Sequence, residues 1–291
     1  MVRRNTGRGV ALLAALVLAA TTQVAVQSAR TTPAAAAVNA QLATQRSVYD
    51  SNNKSATATC PAGSSVVGGG GRIVDGDGFV IMSGAYPVSA QSYRVAAHEI
   101  AGGYGAAWEL HAFAICTAPP DDYQIVEYTD SAATAYPLER KATANCPFGT
   151  DVLGVGARLN NYLGQESLQK VQPYQDYVEA VGVGVNAGDV TVTAYAICAE
   201  PPAGYEIAFN PTFPYTGRVL QVGVVCPSSK TVLSAGLGKY DANGVSHADG
   251  MFPSTDLRRV WTLTRKPSAD PNQPAASPDQ INLAAWAVCA N

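Results

Sequence analysis

A threefold internal repeat bracketed by cysteines restricts the fold of this chain more than any other feature. Each copy opens with Cys-Pro and a short turn, at residues 60–63, 146–149 and 226–229. Each copy closes with alanine, an aromatic residue, alanine, isoleucine or valine, and a cysteine: Cys116, Cys198 or Cys289. Between these ends, glycines and prolines keep the same distances from the opening cysteine: Gly70, Gly156 and Gly236, then Pro87, Pro173 and Pro253. Such units bury a core by packing on one another, so the repeat predicts that the three copies form a single domain.

The six cysteines fall two to a unit. Of the fifteen pairings that six cysteines allow, one respects the repeat. It joins Cys60 to Cys116, Cys146 to Cys198 and Cys226 to Cys289. Each bond closes a loop of roughly 50 to 65 residues, which the chain-entropy account values at about 4 kcal/mol. Metal binding or thiol catalysis is the alternative, but the sequence has no Cys-x-x-Cys motif or Cys/His cluster to support it.

The N-terminus has the pattern of an export signal. Arg3, Arg4 and Arg8 precede an apolar run at 10–20 that is too short to span a bilayer. Small residues at Ala35 and Ala37 favour cleavage there, with sites near Ala25 or Ala29 as alternatives. The sequence therefore predicts a signal peptide over 1–37 and a secreted, extracellular protein over 38–291 with no membrane anchor.

Charge excludes some classes of partner. Cleavage after residue 37 lowers the number of Lys and Arg from 19 to 15 against 22 Asp and Glu, which leaves a net charge of −7. A chain this acidic is a poor ligand for nucleic acid or anionic lipid.

Local patterns predict strands throughout and no long helix. Residues 190–195 and 222–225 are rich in valine and other β-formers and alternate in places with a period of two. The stretches 75–78 and 241–244 carry Asp, Asn and Gly, which is the chemistry of hairpin turns. The segment between Lys266 and Gln280 has no counterpart in the other units and predicts a surface loop.

These patterns predict an all-β fold of three pseudo-symmetric repeats, at about 54–130, 131–215 and 216–291, that closes into a single domain over 38–291. Closure of the three units into a ring around a pseudo-threefold axis is favoured because it removes exposed sheet edges. A β-trefoil and three small β domains are the alternatives.

The Cys-Pro-x-Gly stretches at 60–63 and 146–149, the glycines that follow them and the threefold count resemble the vitelline membrane outer layer proteins. That resemblance implies a β-prism of three Greek-key sheets and an association with carbohydrate. The acidic Leu-Asn-Gly stretch of that family is absent before the closing cysteines, so no functional residue is transferred.

No reaction is predicted by the pattern of titratable residues. His98, His111 and His247 are scattered, and no acid recurs in all three units. The sequence has no Gly-x-Ser-x-Gly elbow and no phosphate-binding loop ending in Lys-Ser/Thr. Asp75-Gly76-Asp77 lacks the further oxygen ligands of a calcium site. We therefore expect no enzyme, no cofactor and no metal.

The turn after the first glycine-rich strand is the candidate binding site, because its three copies fall at equivalent positions. Carboxylates, amides and rings in these copies suit the hydroxyls and ring faces of a sugar; the residues are Asp75, Asp77, Asn161, Tyr162, Asp241 and Asn243. The sequence thus predicts a non-enzymatic extracellular binding module for a glycan or cell-envelope polymer. A protein-partner binder, a peptidase inhibitor and a glycan-active hydrolase are the alternatives.

Overall fold

A computed structural model describes residues 38–130, 138–161, 164, 166–184, 190–212, 214–241, 246–267 and 280–291. The predicted signal peptide lies outside these residues, as does most of the segment between Lys266 and Gln280. The described residues contain strands and no α-helix, as the sequence predicts.

The strands follow one another in three groups of six. The first group is β1 (Gln41–Arg46), β2 (Lys54–Thr59), β3 (Ser65–Val74), β4 (Val80–Ser89), β5 (Ser92–Glu99) and β6 (Glu109–Thr117). The second is β7 (Gln124–Asp130), β8 (Leu138–Asn145), β9 (Asp151–Asn160), β10 (Ser167–Pro173), β11 (Tyr177–Gly184) and β12 (Thr191–Ala199). The third is β13 (Glu206–Pro211), β14 (Val219–Val225), β15 (Thr231–Asp241), β16 (His247–Pro253), β17 (Arg259–Arg265) and β18 (Ile281–Ala290).

Three antiparallel sheets of six strands result, and each sheet combines strands from two groups. The first sheet has the order β1-β6-β3-β16-β17-β14, the second β2-β5-β4-β9-β12-β7, and the third β13-β18-β15-β10-β11-β8. Three separate small domains are excluded, because no sheet is completed by one repeat. The all-β fold of three repeats in one domain is confirmed, in the three-sheet form expected of a prism.

The edges of adjacent sheets meet at three corners. Consecutive strands form each corner: β1 with β2, β7 with β8, and β13 with β14. At the third corner the Asn210 side-chain amide donates a hydrogen bond to the Gly223 carbonyl at 2.7 Å. Edge strands that contact a neighbouring sheet offer less backbone for pairing with another chain.

Small residues let the sheets approach one another at the centre. The alanines beside the closing aromatic residues are fully buried in one shared core: Ala112, Ala114, Ala194, Ala196, Ala285 and Ala287. Strands β3, β9 and β15 contact one another there. A Cβ on Gly154 would collide with the Val67 carbonyl, and a Cβ on Gly68 would collide with the Leu233 carbonyl. Two of the three glycine-rich strands therefore require glycine at this point.

The three disulfides pair as the repeat predicts: Cys60 with Cys116, Cys146 with Cys198, and Cys226 with Cys289. Each opening cysteine follows a strand of one sheet, and its partner lies on a strand of the next sheet. The bonds thus join the second sheet to the first, the third to the second, and the first to the third. Together they link the three sheets in a ring. Each bond lies within one repeat, yet it joins two different sheets.

The prediction of hairpin turns at 75–78 and 241–244 is wrong in one respect. Asp75, Asp77 and Gly78 have φ of 62°, 46° and 84°, as their residue types favour. However, β3 pairs with β6 and β16, whereas β4 pairs with β5 and β9. The turn carries the chain from the first sheet to the second and does not connect paired strands. Strands β15 and β16 likewise lie in different sheets.

Candidate functional site

The first of the three candidate turns is described in full and is held by its own contacts. The Tyr49 hydroxyl donates to the Asp75 carboxylate, and the Tyr104 hydroxyl donates to the Asp75 carbonyl, each at 3.2 Å. The rings of Phe79 and Tyr104 stack with centroids 5.3 Å apart. The Asp77 carboxylate lies 3.4 Å from the Arg218 guanidinium. Phenol, carboxylate and ring therefore meet at this turn, and the phenols come from Tyr49 and Tyr104, which the sequence did not single out.

Arg265 links this turn to a buried acid. Its Nη1 lies 3.6 Å from Asp77, and its Nε donates to Asp249 Oδ2 at 3.1 Å. Asp249 is 1% exposed, and its other carboxylate oxygen has no hydrogen-bond partner among the described residues. Burial raises the pKa of Asp249 to about 6, against the lowering effect of Arg265. Asp77 and Asp249 thus share one guanidinium, which holds the turn on the first sheet.

The variant Asp249→Asn is expected to gain stability relative to the wild type as pH rises from about 4 to about 7. The pKa of Asp249 in the fold is about 6, above its reference value of 3.8, so its contribution to stability is lost as pH rises through 6. A shift of about two units corresponds to about 3 kcal/mol. Urea unfolding of both proteins at the two pH values measures the change. A stability difference that is independent of pH would contradict it.

The other two turns are described only in part. Asn161 is exposed with φ of 56°, and Asp241 ends β15. Tyr162 and Asn243 lie outside the described residues. The Gly164 carbonyl accepts a hydrogen bond from the Ala101 backbone at 2.9 Å, so the second turn packs on the loop between β5 and β6. A site shared by the three turns stays a prediction.

A row of aromatic side chains crosses the outer face of the first sheet. Strand pairing places one residue from each of the six strands in line: Thr44, Phe113, Gly70, Phe252, Trp261 and Gly223. Sequence neighbours of the rings, Ala112, Ala114, Met251 and Val260, are buried in the core. Because successive side chains of a strand point to opposite faces, the three rings face outward. We call Phe113, Phe252 and Trp261 the aromatic row.

The aromatic row is partly open. The rings of Phe113 and Phe252 lie 5.9 Å apart at an interplanar angle of 24°. Gly70, between them, and Gly223, beyond Trp261, contribute no side chain that could cover the rings. All three rings are half-buried, so the sheet fixes them while part of each ring remains open.

Equivalent rows on the other two sheets are more closed. On the second sheet Tyr86 and Tyr195 stack with centroids 5.2 Å apart and are 9% and 4% exposed. On the third sheet Trp286 is 9% exposed beneath Phe209, which is 53% exposed. Among the described outer faces, the first therefore has the most accessible run of rings.

Two guanidiniums lie beside the aromatic row. Arg72 Cζ is 5.7 Å from the centre of the Phe252 ring, and Arg259 Cζ is 4.8 Å from that of Trp261. Both side chains are exposed, and neither forms a salt bridge with the described residues. Arg46 on the same face differs, because it lies 3.8 Å from Glu109. The row therefore joins apolar rings to unpaired cations.

A groove on the third sheet also carries charge, but its charges are paired. Its lining includes Lys141, Lys170 and Glu179. Glu179 binds both lysines, and the contact to Lys170 is 2.8 Å. The groove thus offers an outside ligand less unbalanced charge than the aromatic row does.

Two of the histidines lie in different surroundings. Burial lowers the pKa of His98 to about 4, so its ring is neutral at physiological pH. His111 contacts Glu109 at 2.6 Å on the outer face of the first sheet. No group of three His, Cys, Asp or Glu among the described residues could hold a metal ion. No helix within the described ranges is long and apolar enough to cross a membrane.

No protein-family profile matches the chain, and no curated protein matches it. The resemblance to the vitelline membrane outer layer proteins therefore stays a prediction.

Sequence reasoning missed the aromatic row as a site. Phe113 belongs to the closing pentapeptide of the first repeat, a pattern that marks the repeat and predicts no binding role. The alternation of alanine and ring was the available signal, since it places the ring on the face opposite the core. Phe252 and Trp261 belong to the third repeat, so their position beside Phe113 depends on the pairing of β3 with β16.

Proposed function

We propose that the protein is a secreted, non-enzymatic binding module whose ligand is a glycan or another polymer of the cell envelope. The aromatic row is the observation that carries the proposal. The C–H groups on the face of a sugar ring pack against the electron-rich face of an aromatic ring. Three rings in line on a rigid sheet suit a chain of sugars better than a single small molecule.

The disulfides support an extracellular setting. All six cysteines are paired, and such bonds persist in oxidising compartments. The predicted signal peptide supports export on independent grounds. A fold tied together by three bonds suits a protein that works outside the cell.

The candidate turns supply a second set of contacts for the same class of ligand. Asp75, Tyr49 and Tyr104 bring carboxylate and phenol groups to the end of the first sheet. Asn161, Tyr162, Asp241 and Asn243 are the corresponding candidates in the other repeats. Several weak contacts on one rigid frame raise the overall affinity for a repeating polymer through effective concentration.

Affinity electrophoresis through gels that contain soluble polysaccharides tests this proposal. Retardation by at least one polymer is expected, and Trp261→Ala is expected to weaken binding about tenfold, or about 1.4 kcal/mol, since large aromatic side chains dominate the energy of binding surfaces. Phe209→Ala is the matched control, because it removes an exposed ring from the equivalent row of the third sheet. Tm values of both variants verify folding.

The proposal fails if no polysaccharide retards the wild-type protein. The assignment to the first sheet fails if Phe209→Ala weakens binding as much as Trp261→Ala does.

A further inference from the structure

We infer that the ligand of the aromatic row is an acidic polysaccharide, whose carboxylates are bound by Arg72 and Arg259 while its sugar rings pack on Phe252 and Trp261. This inference rests on the proposed function and adds the charge of the ligand to it.

The two guanidiniums lie on opposite sides of the row. Arg72 follows Gly70 by two residues on β3, and Arg259 precedes Trp261 by two residues on β17. Both strands pair antiparallel with β16, so they run in the same direction. Arg72 is therefore displaced to one side of the row and Arg259 to the other, each by about 7 Å. A polymer lying along the row would have a cation on either flank.

A guanidinium is the cationic side chain that best matches a carboxylate. A guanidinium beside an aromatic ring keeps N–H groups at its edge, and a carboxylate accepts two of them in parallel. Lysine would offer only a point charge, without this planar match. The first sheet thus places two guanidiniums over the rings on which we infer that sugars pack.

Neither arginine forms a salt bridge with a described residue, whereas other arginines nearby do. Arg72 acts on the buried Asp249 only through its charge, which lowers the pKa of that carboxyl. Arg218 and Arg265 contact Asp77, and Arg265 also binds Asp249. Arg72 and Arg259 make no such pair with the described residues, although the chain has more acids than bases. A local excess of cations on an acidic protein is complementary to a ligand that carries negative charge.

The three repeats supply an internal comparison. At the position of Arg72 the second sheet has Arg158, 5.5 Å from a Tyr86 ring that is only 9% exposed. The third sheet has Gly238, which the Trp286 ring covers. Among the described faces, the first alone joins open rings to exposed and unpaired guanidiniums.

A polyanion of higher charge density is a poorer fit. Binding to nucleic acid depends on many cations that together neutralise many phosphates. The row offers two unpaired arginines, and the mature protein has a predicted net charge of −7. Sugar packing on the rings must therefore supply much of the affinity, which favours a uronate-bearing polysaccharide.

The test uses two acidic polymers, polygalacturonate and alginate, each beside its esterified and therefore uncharged form. The wild-type protein is expected to bind at least one acidic polymer about tenfold more tightly than its ester. That preference should disappear between about 0.01 M and about 1 M salt. Arg72→Gln and Arg259→Gln should each reduce binding of the acidic form several-fold and leave binding of the ester unchanged.

Arg94→Gln is the matched control, because it removes one guanidinium from the outer face of the second sheet. Equal affinity for the acidic and esterified polymers overturns the inference and leaves the proposed function intact. So does a loss in Arg94→Gln equal to that in Arg72→Gln, and so does equally tight binding of double-stranded DNA. If no acidic, esterified or neutral polysaccharide is bound, the inference and the proposed function both fail.

Discussion

Replacing Cys60 and Cys116 together by alanine is expected to lower the free energy of unfolding by about 4 kcal/mol. The bond closes a loop across a sequence separation of 56 residues, and its loss enlarges the conformational freedom of the unfolded chain. The double variant also removes the covalent link between the first and second sheets, which share the strands of the first repeat. Guanidinium unfolding without reductant measures the difference.

The other two bonds supply matched comparisons. Their sequence separations of 52 and 63 residues are similar, so the double variants at Cys146 with Cys198 and at Cys226 with Cys289 should lose nearly the same amount. A loss below about 1 kcal/mol for any one pair would contradict the account of the disulfides as joints between sheets.

The variant Gly154→Ala is expected to lose about 3 kcal/mol or more, because the new methyl group has no space. Its Cβ would collide with the Val67 carbonyl oxygen and lie 3.0 Å from the Gly68 Cα. Both are backbone atoms of β3, which cannot move without disturbing the pairing of the first sheet. Thermal unfolding of the variant and the wild type measures the loss.

Gly105→Ala is the control for the general effect of replacing glycine. Its Cβ would meet no atom within 4 Å, so a change of less than about 0.5 kcal/mol is expected. The third strand at this centre tolerates a side chain: the Ser234 hydroxyl accepts a hydrogen bond from the Val155 backbone at 3.1 Å. Similar losses at Gly105 and Gly154 would contradict the requirement for glycine at the centre.

The repeat made much of the architecture predictable. The matched spacings give the disulfide pairing, and the glycines mark strands that must approach other backbone closely. Gly70 and Gly156 illustrate this, because a Cβ on either would press on the adjoining strand of a different repeat. These glycines recur at one spacing in every repeat, so their positions can be read from the sequence even though the contacts that require them lie between repeats.

The division of each repeat between two sheets was not predictable in this way. Asp75, Asp77 and Gly78 identify a turn with positive φ but carry no information on which strands pair beyond it. Pairing of β3 with β16 joins the first repeat to the third, across most of the chain. Long-range pairing depends on the packing of the whole core, which local composition does not encode.

For the same reason, only part of the candidate site could be predicted from the sequence. The contacts of Asp75 and Asp77 arise near a turn that the repeat places, so these residues were identifiable as a group. The aromatic row unites Phe113 with Phe252 and Trp261 from another repeat, so it exists only once the sheet is assembled. Arg72 and Arg259 meet the row for the same reason.

Tryptophan fluorescence gives the most direct test of the claim that the aromatic row binds a glycan. The three tryptophans are distinct, since Trp108 is fully buried, Trp286 is 9% exposed on the third sheet, and Trp261 is half-buried in the row. Titration with polygalacturonate and with a neutral β-glucan should shift the emission of the wild-type protein with at least one polymer. Trp261→Phe should abolish that shift. A shift of full size in Trp261→Phe, or no shift with either polymer in the wild-type protein, would contradict the account.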